Sequence, residues 1–475
     1  MAMSDVGFKT RSFVARVPPG VVVFLSATVW IGALLRSNFF ADDFYQLATY
    51  SGFNNLFNVH LDQGQFAVNI FWTVGTMAFG YGSAVPYLLL NSSILFGGLG
   101  MWLIGCRNRW PATYGWWVAG LLAANAAWMT TALWSANCTH SVALFALGGA
   151  MLCHESVLRA GELQAARSWS LLGAAAWLLV VASDPLYIGV VPIIIYCCLI
   201  QRPHLLRSSG SSWLTNAVLL CNVLLPSLYF ALIGYPQKSA VAAYSGSSLR
   251  FIVTDLRLYV DQMAPSTITQ AVYLSLAIVT GVAVVGALIR RDFFPVACGL
   301  SAALMIGILL TESQQIYPNY TVIPLLLVLS ACLAGCTTVA RSSRWRVPSR
   351  SFRGAAIVLA AISLAVLFYA GSGVRAYFTA TPYGDQRGLA LFRYQVASMV
   401  PPGTPLCVVL ELARADGVEF KAWMAQEYGF LLAPINAASV YFADSQGQCP
   451  SSATATINVT EDASGEFLAL LGRAP

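Results

Sequence analysis

The sequence predicts an all-α polytopic membrane protein of about 11 transmembrane helices, followed by a small α/β domain outside the membrane. Three observations predict it. Of the 475 residues, 57% are hydrophobic and only 10% are charged, where a soluble protein carries roughly 25% charged residues; the mean hydropathy is +0.67. Apolar runs of about 15–22 residues recur along the chain, the length of helix that crosses a hydrocarbon core. Only the tail, 372–475, departs from that pattern, with short apolar stretches separated by polar breaks.

The predicted spans are 18–36, 86–105, 113–134, 139–157, 168–183, 186–200, 213–235, 269–289, 293–311, 321–339 and 354–371. The run 65–80 is also apolar, and charge decides against counting it. With it omitted, Lys9, Arg11, Arg16, Arg107, Arg109, Arg159, Arg167, Arg202, Arg207, Arg290, Arg291, Arg341, Arg344, Arg346, Arg350 and Arg353 fall on one side, sixteen of the 26 basic residues. The positive-inside rule makes that side the cytoplasm, so the N-terminus is in and the C-terminus out. Most acids fall outside; among the inside exceptions are Glu155, Glu162 and Asp292. Two short spans, 168–183 and 186–200, are hinged at Ser183-Asp184-Pro185. The first span has no A-x-A-like cleavage site behind it, so it reads as an anchor rather than a removable leader.

The net charge of +6 does not point to nucleic acid, because the basic residues form no contiguous face and are not interleaved with stacking aromatics. Arg outnumbers Lys, 23 to 3, as in GC-rich bacterial genomes. The 11 cysteines show no CxxC or zinc spacing and mostly lie inside apolar runs, where Cys acts as a small hydrophobe. Cys407 and Cys449 alone fall in the polar tail, and an oxidising compartment would allow them to pair.

Two domains follow: 1–371 in the membrane and 372–475 outside it. The membrane domain carries two large outer loops. Loop 37–85 holds Asp42-Asp43 and the surface run 65–80. In loop 236–268, Leu249, Ile252, Val253, Leu256 and Val260 form one helical stripe, and Arg250, Thr254, Arg257 and Asp261 the opposite one, the pattern of an interfacial helix. A short outer turn, 312–320, contains Glu312 and Tyr320. The tail reads helix 386–399, strand 405–412, helix 419–431, and strands near 438–443 and 454–460, with a break at Pro401-Pro402-Gly403.

Chemistry is concentrated on the outer side. Asp42 and Asp43 sit among aromatics just past the first span. Near lipid a carboxylate loses hydration, and a neighbouring like charge disfavours ionising both, which suits one of them to act as a base. The alternative is a solvated loop or a helix N-cap. Arg250, Arg257, Lys238 and Arg36 are outer cations that match phosphate oxygens; snorkelling toward headgroups is the alternative. His60, Asp184, Glu312 and Tyr320 are candidates for sugar or acceptor contact, with Asp184 equally readable as a turn residue before proline. His60 and Asp62 lack a third ligand, so no metal site is assigned. His140 reads as an interface residue.

The acidic pair after the first span, the outer loop with a surface helix that does not cross, and Tyr320-Thr-Val-Ile-Pro324 resemble the GT-C superfamily of membrane glycosyltransferases. The last motif resembles an Arg-Tyr-x-x-Pro pattern of bacterial members, with Asn319 in place of the Arg. His60-Leu-Asp-Gln-Gly64 stands where many members have His-Pro-Pro. The resemblance covers roughly 18–340. It implies an inverting transferase that moves a sugar from polyprenyl phosphate to a cell-envelope glycan or glycolipid, such as a lipopolysaccharide unit, outside a bacterial inner membrane. Asp42 would be the general base beside Asp43, and Arg250, Arg257, Lys238 and Arg36 would hold the donor phosphate. The resemblance fixes no cofactor, and a divalent cation is compatible with the scheme. The alternative reading is a transporter, flippase or ligase of lipid-linked sugars; few charges inside spans and no internal repeat weigh against transport.

Overall fold

The structure, a computed structural model, describes residues 66–79, 84–110, 115, 118, 122, 125–133, 135–207, 212–234, 267–312, 318–342, 400, 404–411, 440–443, 449–461 and 467–471. The predicted spans 18–36 and 354–371, the interfacial helix of loop 236–268 and the tail helices 386–399 and 419–431 lie outside these residues.

The described chain is mostly helical. Helix α1 is Phe66–Phe79, α2 Val85–Gly105, α3 Ala126–Leu133, α4 Cys138–Arg159, α5 Leu163–Ser183, α6 Val191–Arg207, α7 Ser212–Tyr229, α8 Thr267–Ile289, α9 Phe293–Glu312 and α10 Val322–Ser342. Among the described residues, six helical segments are long and apolar enough to cross a membrane: Val85–Gly105, Cys138–Arg159, Leu163–Ser183, Pro185–Leu206, Trp213–Ile233 and Val322–Val339. Helix α1 is helical throughout its 14 described residues. Trp72, Phe79 and Gly75 of α1 meet the ring of Tyr87 at the start of α2.

One predicted span differs. The run 113–134 is not continuous helix: the chain bends at Asn125 and resumes as the eight-residue α3. Asn125 N–H closes a turn on the Leu122 carbonyl at 2.9 Å, and its Nδ2 donates to the Tyr273 hydroxyl at 2.8 Å. An amide that can bond elsewhere competes with the helical ladder, and hydropathy does not register it.

Close helix packing needs small residues, because lipid tails are as apolar as the side chains they would displace. Helices α2 and α4 run parallel and meet backbone to backbone. A Cβ on Gly98 would lie 2.6 Å from the Phe145 nitrogen, and one on Gly148 would lie 2.3 Å from the Gly98 carbonyl oxygen. Several polar residues inside the bundle pair across it. Trp102 Nε1 donates to Ser330 Oγ at 3.0 Å, and Asn91 Nδ2 to the Thr131 carbonyl at 2.7 Å. Ser170 Oγ donates to Gln201 Oε1 at 3.1 Å, Asn222 Nδ2 donates to Ser170 Oγ at 3.3 Å, and Gln201 Nε2 donates to His154 Nδ1 at 3.1 Å.

Every described arginine is at one end of this bundle: Arg107, Arg109, Arg159, Arg167, Arg202, Arg207, Arg290, Arg291 and Arg341 all lie at or just beyond helix ends that face the same way. There Glu155 accepts from Asn108 Nδ2 and from Arg159, each at 3.0 Å. Arg109 donates to the Tyr196 hydroxyl, with its guanidinium carbon 5.4 Å from the Tyr196 ring and 5.0 Å from the Phe294 ring. The α8–α9 turn places Arg291 at φ 59°. Asp292 then starts α9, its Oδ1 accepting from Phe294 N–H at 3.3 Å while Thr338 Oγ1 donates to its Oδ2 at 2.5 Å.

In the tail, β1 Leu406–Glu411, β2 Val440–Ala443, β3 Ala455–Glu461 and β4 Phe467–Leu471 form one sheet in the order β2-β1-β3-β4. Strands β2 and β3 pair parallel with β1, while β4 is antiparallel to β3. The first three match predicted strands; β4, a continuous apolar run with no alternation, does not. Parallel β1 and β2 require a crossover, and the predicted helix 419–431 falls within that connection. Successive β1 residues face opposite ways. Leu406 and Val408, with Ile457, belong to the buried cluster of the helices, whereas Cys407 and Val409 pack with Ala443 and Ala453 on the other face. On that face Cys407 and Cys449 form a disulfide.

Two outcomes are expected. Gly148→Ala lowers the melting temperature of the detergent-solubilised protein, by an overpacking cost of roughly 1–3 kcal/mol. Gly149→Ala, whose added Cβ meets nothing within 4 Å, does not lower it and raises it slightly, because glycine inside a helix costs about 0.5–1 kcal/mol relative to alanine. In intact-mass measurements, alkylation in denaturant adds nine labels, matching the nine free cysteines, and eleven once the disulfide is reduced.

Candidate functional site

The end opposite the arginines is built from helix breaks. Helix α5 stops at Ser183, and Asp184 is extended, at φ −155° and ψ 131°. Pro185, whose fixed φ suits a first helical position, opens a 3-10 turn, Pro185–Val190, that leads into α6. Asp184 caps the turn: its Oδ1 accepts from Leu186 N–H at 2.8 Å, and its carbonyl accepts from Tyr187 N–H at 2.9 Å. The predicted hinge at 183–185 is therefore present, with two separate helices on either side. Gly189 of the turn lies so close to α9 that a Cβ there would be 2.6 Å from Met305 Cγ and 3.0 Å from the Met305 nitrogen.

The hinge sets the position of Tyr187, which is fully buried. Its hydroxyl is hydrogen-bonded to Nδ1 of His140 in the first turn of α4. The His140 ring stands edge-on to Tyr187, with centroids 6.1 Å apart, and to Tyr320, 4.9 Å apart. Tyr320 comes from a second 3-10 turn, Pro318–Thr321, that leads into α10. Asp184 and Tyr320 are both electrostatic neighbours of the Tyr187 hydroxyl. One compact polar group thus joins α4, the α5–α6 hinge and the start of α10, and Asp184, His140 and Tyr187 are all buried within it.

Buried hydroxyls and indole nitrogens are ordinarily hydrogen-bonded. Near this end Trp128 Nε1, Ser135 Oγ and Ser141 Oγ are buried without a hydrogen-bond partner. Ser135 is in the 3-10 turn Ser135–Asn137 that precedes α4, and Ser141 follows His140 directly.

Of the sequence-predicted site residues, Asp184 and Tyr320 are brought together here. Glu312 is the last residue of α9 and lies at the same end of the bundle. Asp42, Asp43, Arg36, His60, Lys238, Arg250 and Arg257 lie outside the described residues. Two members of the cluster were not singled out from sequence in these roles. His140 reads there as an interface residue, and Tyr187 sits in a Pro-Leu-Tyr-Ile-Gly stretch with no motif to mark it. Only the Asp184-Pro185 hinge could have drawn attention to Tyr187. Among the described residues, no group of three His, Cys, Asp or Glu side chains is placed to hold a metal ion.

No family model matches the chain, and no curated protein matches it. Among solved structures it is similar to ArnT from Cupriavidus metallidurans bound to undecaprenyl phosphate, with 15% identity, 93% of this chain and 92% of that chain covered, and a TM-score of 0.48. It is also similar to the same protein in the apo state, with 16% identity, the same coverage and a TM-score of 0.49. Likeness at that level carries no argument about chemistry.

The cap at the hinge gives a direct expectation. Asp184→Ala should lower stability by about 1 kcal/mol, while Asp184→Asn, an equally good capping residue, should keep most of it. Thermal unfolding of the two variants in detergent checks this.

Proposed function

We propose that the protein is an inverting membrane glycosyltransferase that takes a sugar from a polyprenyl-phosphate donor and passes it to a cell-envelope glycan or glycolipid on the outer face of a bacterial inner membrane. The observation that carries the proposal is the sequence pair Asp42-Asp43, placed just past the first predicted span on the side away from the arginines. Several features support that placement. The described arginines gather at one end, while Asp184, His140, Tyr187, Tyr320 and the end of α9 gather at the other. The Cys407–Cys449 disulfide suits an oxidising compartment, which agrees with a tail outside the cytoplasm.

In the proposed reaction the acceptor hydroxyl gives its proton to the Asp42 carboxylate, and its oxygen attacks the anomeric carbon from the face opposite the phosphate. The bond from that carbon to the phosphate oxygen breaks, and polyprenyl phosphate leaves with the electron pair. The configuration inverts because a single displacement occurs. Phosphate is a good leaving group, so no second carboxylic acid is needed to protonate it. Asp43 would hold the pair in register and tune the base through like-charge repulsion. Arg250, Arg257, Lys238 and Arg36 would neutralise the departing phosphate. His60, Asp184, Glu312 and Tyr320 would orient sugar or acceptor.

Sugar transfer in membranes supplied with a panel of radiolabelled polyprenyl-phosphate sugars tests this reading. Asp42→Asn is expected to lower the rate by about 10²–10⁴-fold, the usual worth of a general base, at unchanged protein level. Full transfer by that variant would remove Asp42 from the mechanism, and no transfer from any donor by the unaltered protein would favour transport or ligation of lipid-linked sugars.

A further inference from the structure

The seam between α8 and α10 carries a pair of nucleophiles that the proposed reaction does not use. Cys332 and Cys336 stand one helical turn apart in the second half of α10. Residues at that spacing share a helix face, with Cβ atoms about 5–6 Å apart. The two thiols hydrogen-bond to each other, and the buried Thr280 of α8 is the neighbour of Cys332 across the seam. Cys332 is half-buried, and Cys336 is exposed. The remaining free cysteines are placed differently. Cys106, Cys138, Cys153, Cys197 and Cys298 are buried, the condition in which a thiol is inert. Cys198 Sγ donates to the Leu219 carbonyl at 3.6 Å.

The backbone under the pair is held in place. Gly335, between the two cysteines, lies so close to α8 that a Cβ there would be 2.7 Å from the Ala283 carbonyl oxygen. A Cβ on Gly286 would likewise lie 2.6 Å from Val339 Cγ2. Thr338 Oγ1 donates to Asp292 at the α8–α9 turn. A disulfide needs Cβ atoms about 3.5–4.5 Å apart, so closing one here would bend α10 against these contacts. An atom inserted between the sulfurs removes that demand. Zinc, with its four ligands, is poorly served, because among the described residues no third His, Cys, Asp or Glu completes a metal site. The centre that fits makes two bonds to sulfur at a bent angle, so that thiols already in contact are not pushed apart. Its product must also be uncharged, since an unpaired charge on a lipid-facing flank is costly.

We propose that Cys332 and Cys336 form a dithiol site for trivalent arsenic compounds. Cys336, the exposed thiol, reacts first, and Cys332 closes the ring. Two As–S bonds form while the bond from arsenic to its oxygen breaks. The two thiol protons leave with that oxygen as water, and neither arsenic nor sulfur changes oxidation state, so no oxidant is needed. Both the reagent and the bridged product are neutral. The bridge staples one turn of α10 where that helix is already pinned to α8 and to Asp292.

Phenylarsine oxide added to the folded full chain in detergent, followed by intact-mass measurement and peptide mapping, tests the site. One arsenic per chain is expected, with Cys332 and Cys336 both protected from N-ethylmaleimide. A dithiol such as dimercaptopropanol should remove it, whereas the same concentration of a monothiol should not. Cys336→Ser and Cys332→Ser should each abolish the adduct, and Cys298→Ser should retain it. If Cys332→Ser does not fold, the exposed Cys336→Ser carries the test. No adduct, an adduct that survives Cys336→Ser, or an arsenic that protects other cysteines would overturn the proposal. Ready formation of a Cys332–Cys336 disulfide with diamide would overturn it as well, by making the pair a redox couple on a helix that can bend.

Discussion

Carrying an arginine into the middle of a hydrocarbon layer costs several kcal/mol, and that single penalty orders the architecture. Once Arg107, Arg159, Arg202 and Arg290 are confined to one end, the direction of each neighbouring helix is set. The α5–α6 hinge and the 3-10 turns at 135–137 and 318–321 are left at the other end. The backbone there is irregular where it faces protein rather than lipid, which is the condition under which non-helical segments survive at membrane depth. The cluster of Asp184, Tyr187, His140 and Tyr320 forms where the chain turns, at the end away from the described arginines.

Inside the bundle a different economy holds. Helices in lipid gain little from hiding apolar side chains, so they associate through close backbone approach and interhelical hydrogen bonds. Gly98 against Gly148 supplies the first, and Trp102 to Ser330, Asn91 to Thr131 and the Ser170–Gln201–Asn222 set supply the second. Each such bond is modest, with measured averages of about 0.6 kcal/mol in membrane bundles. Their value is in register. A slip of one turn between α5 and α6 would break the Ser170–Gln201 bond.

Hydropathy and charge carried the helix positions a long way. The ends of α2, α4 and α10, the division of 163–207 into two helices at Asp184, and strands β1, β2 and β3 follow from local pattern, because run length and alternation are local quantities. The break at Asn125 does not, since it depends on a bond to Tyr273 far along the chain. Nor does the His140–Tyr187–Tyr320 contact, which joins three separate stretches through ring geometry that spacing cannot encode. Arg109 illustrates the same limit: the charge pattern predicts its side of the membrane, while its place between Tyr196 and Phe294 is a tertiary result. The acidic pair Asp42-Asp43, on which the proposed chemistry rests, remains a reading from sequence.

The alternation along β1 has an outcome for how the protein holds together. Leu406 and Val408 contribute to the same buried mass as the helices, while Cys407 and Val409 turn to the disulfide face. The sheet is thus a lid sealed to the bundle on one side and stapled on the other. A freestanding fragment of the tail would carry a bare oily face into water. Cutting it away would strip the helices of part of their cover, so mechanical or thermal failure of either part would be expected to take the other with it.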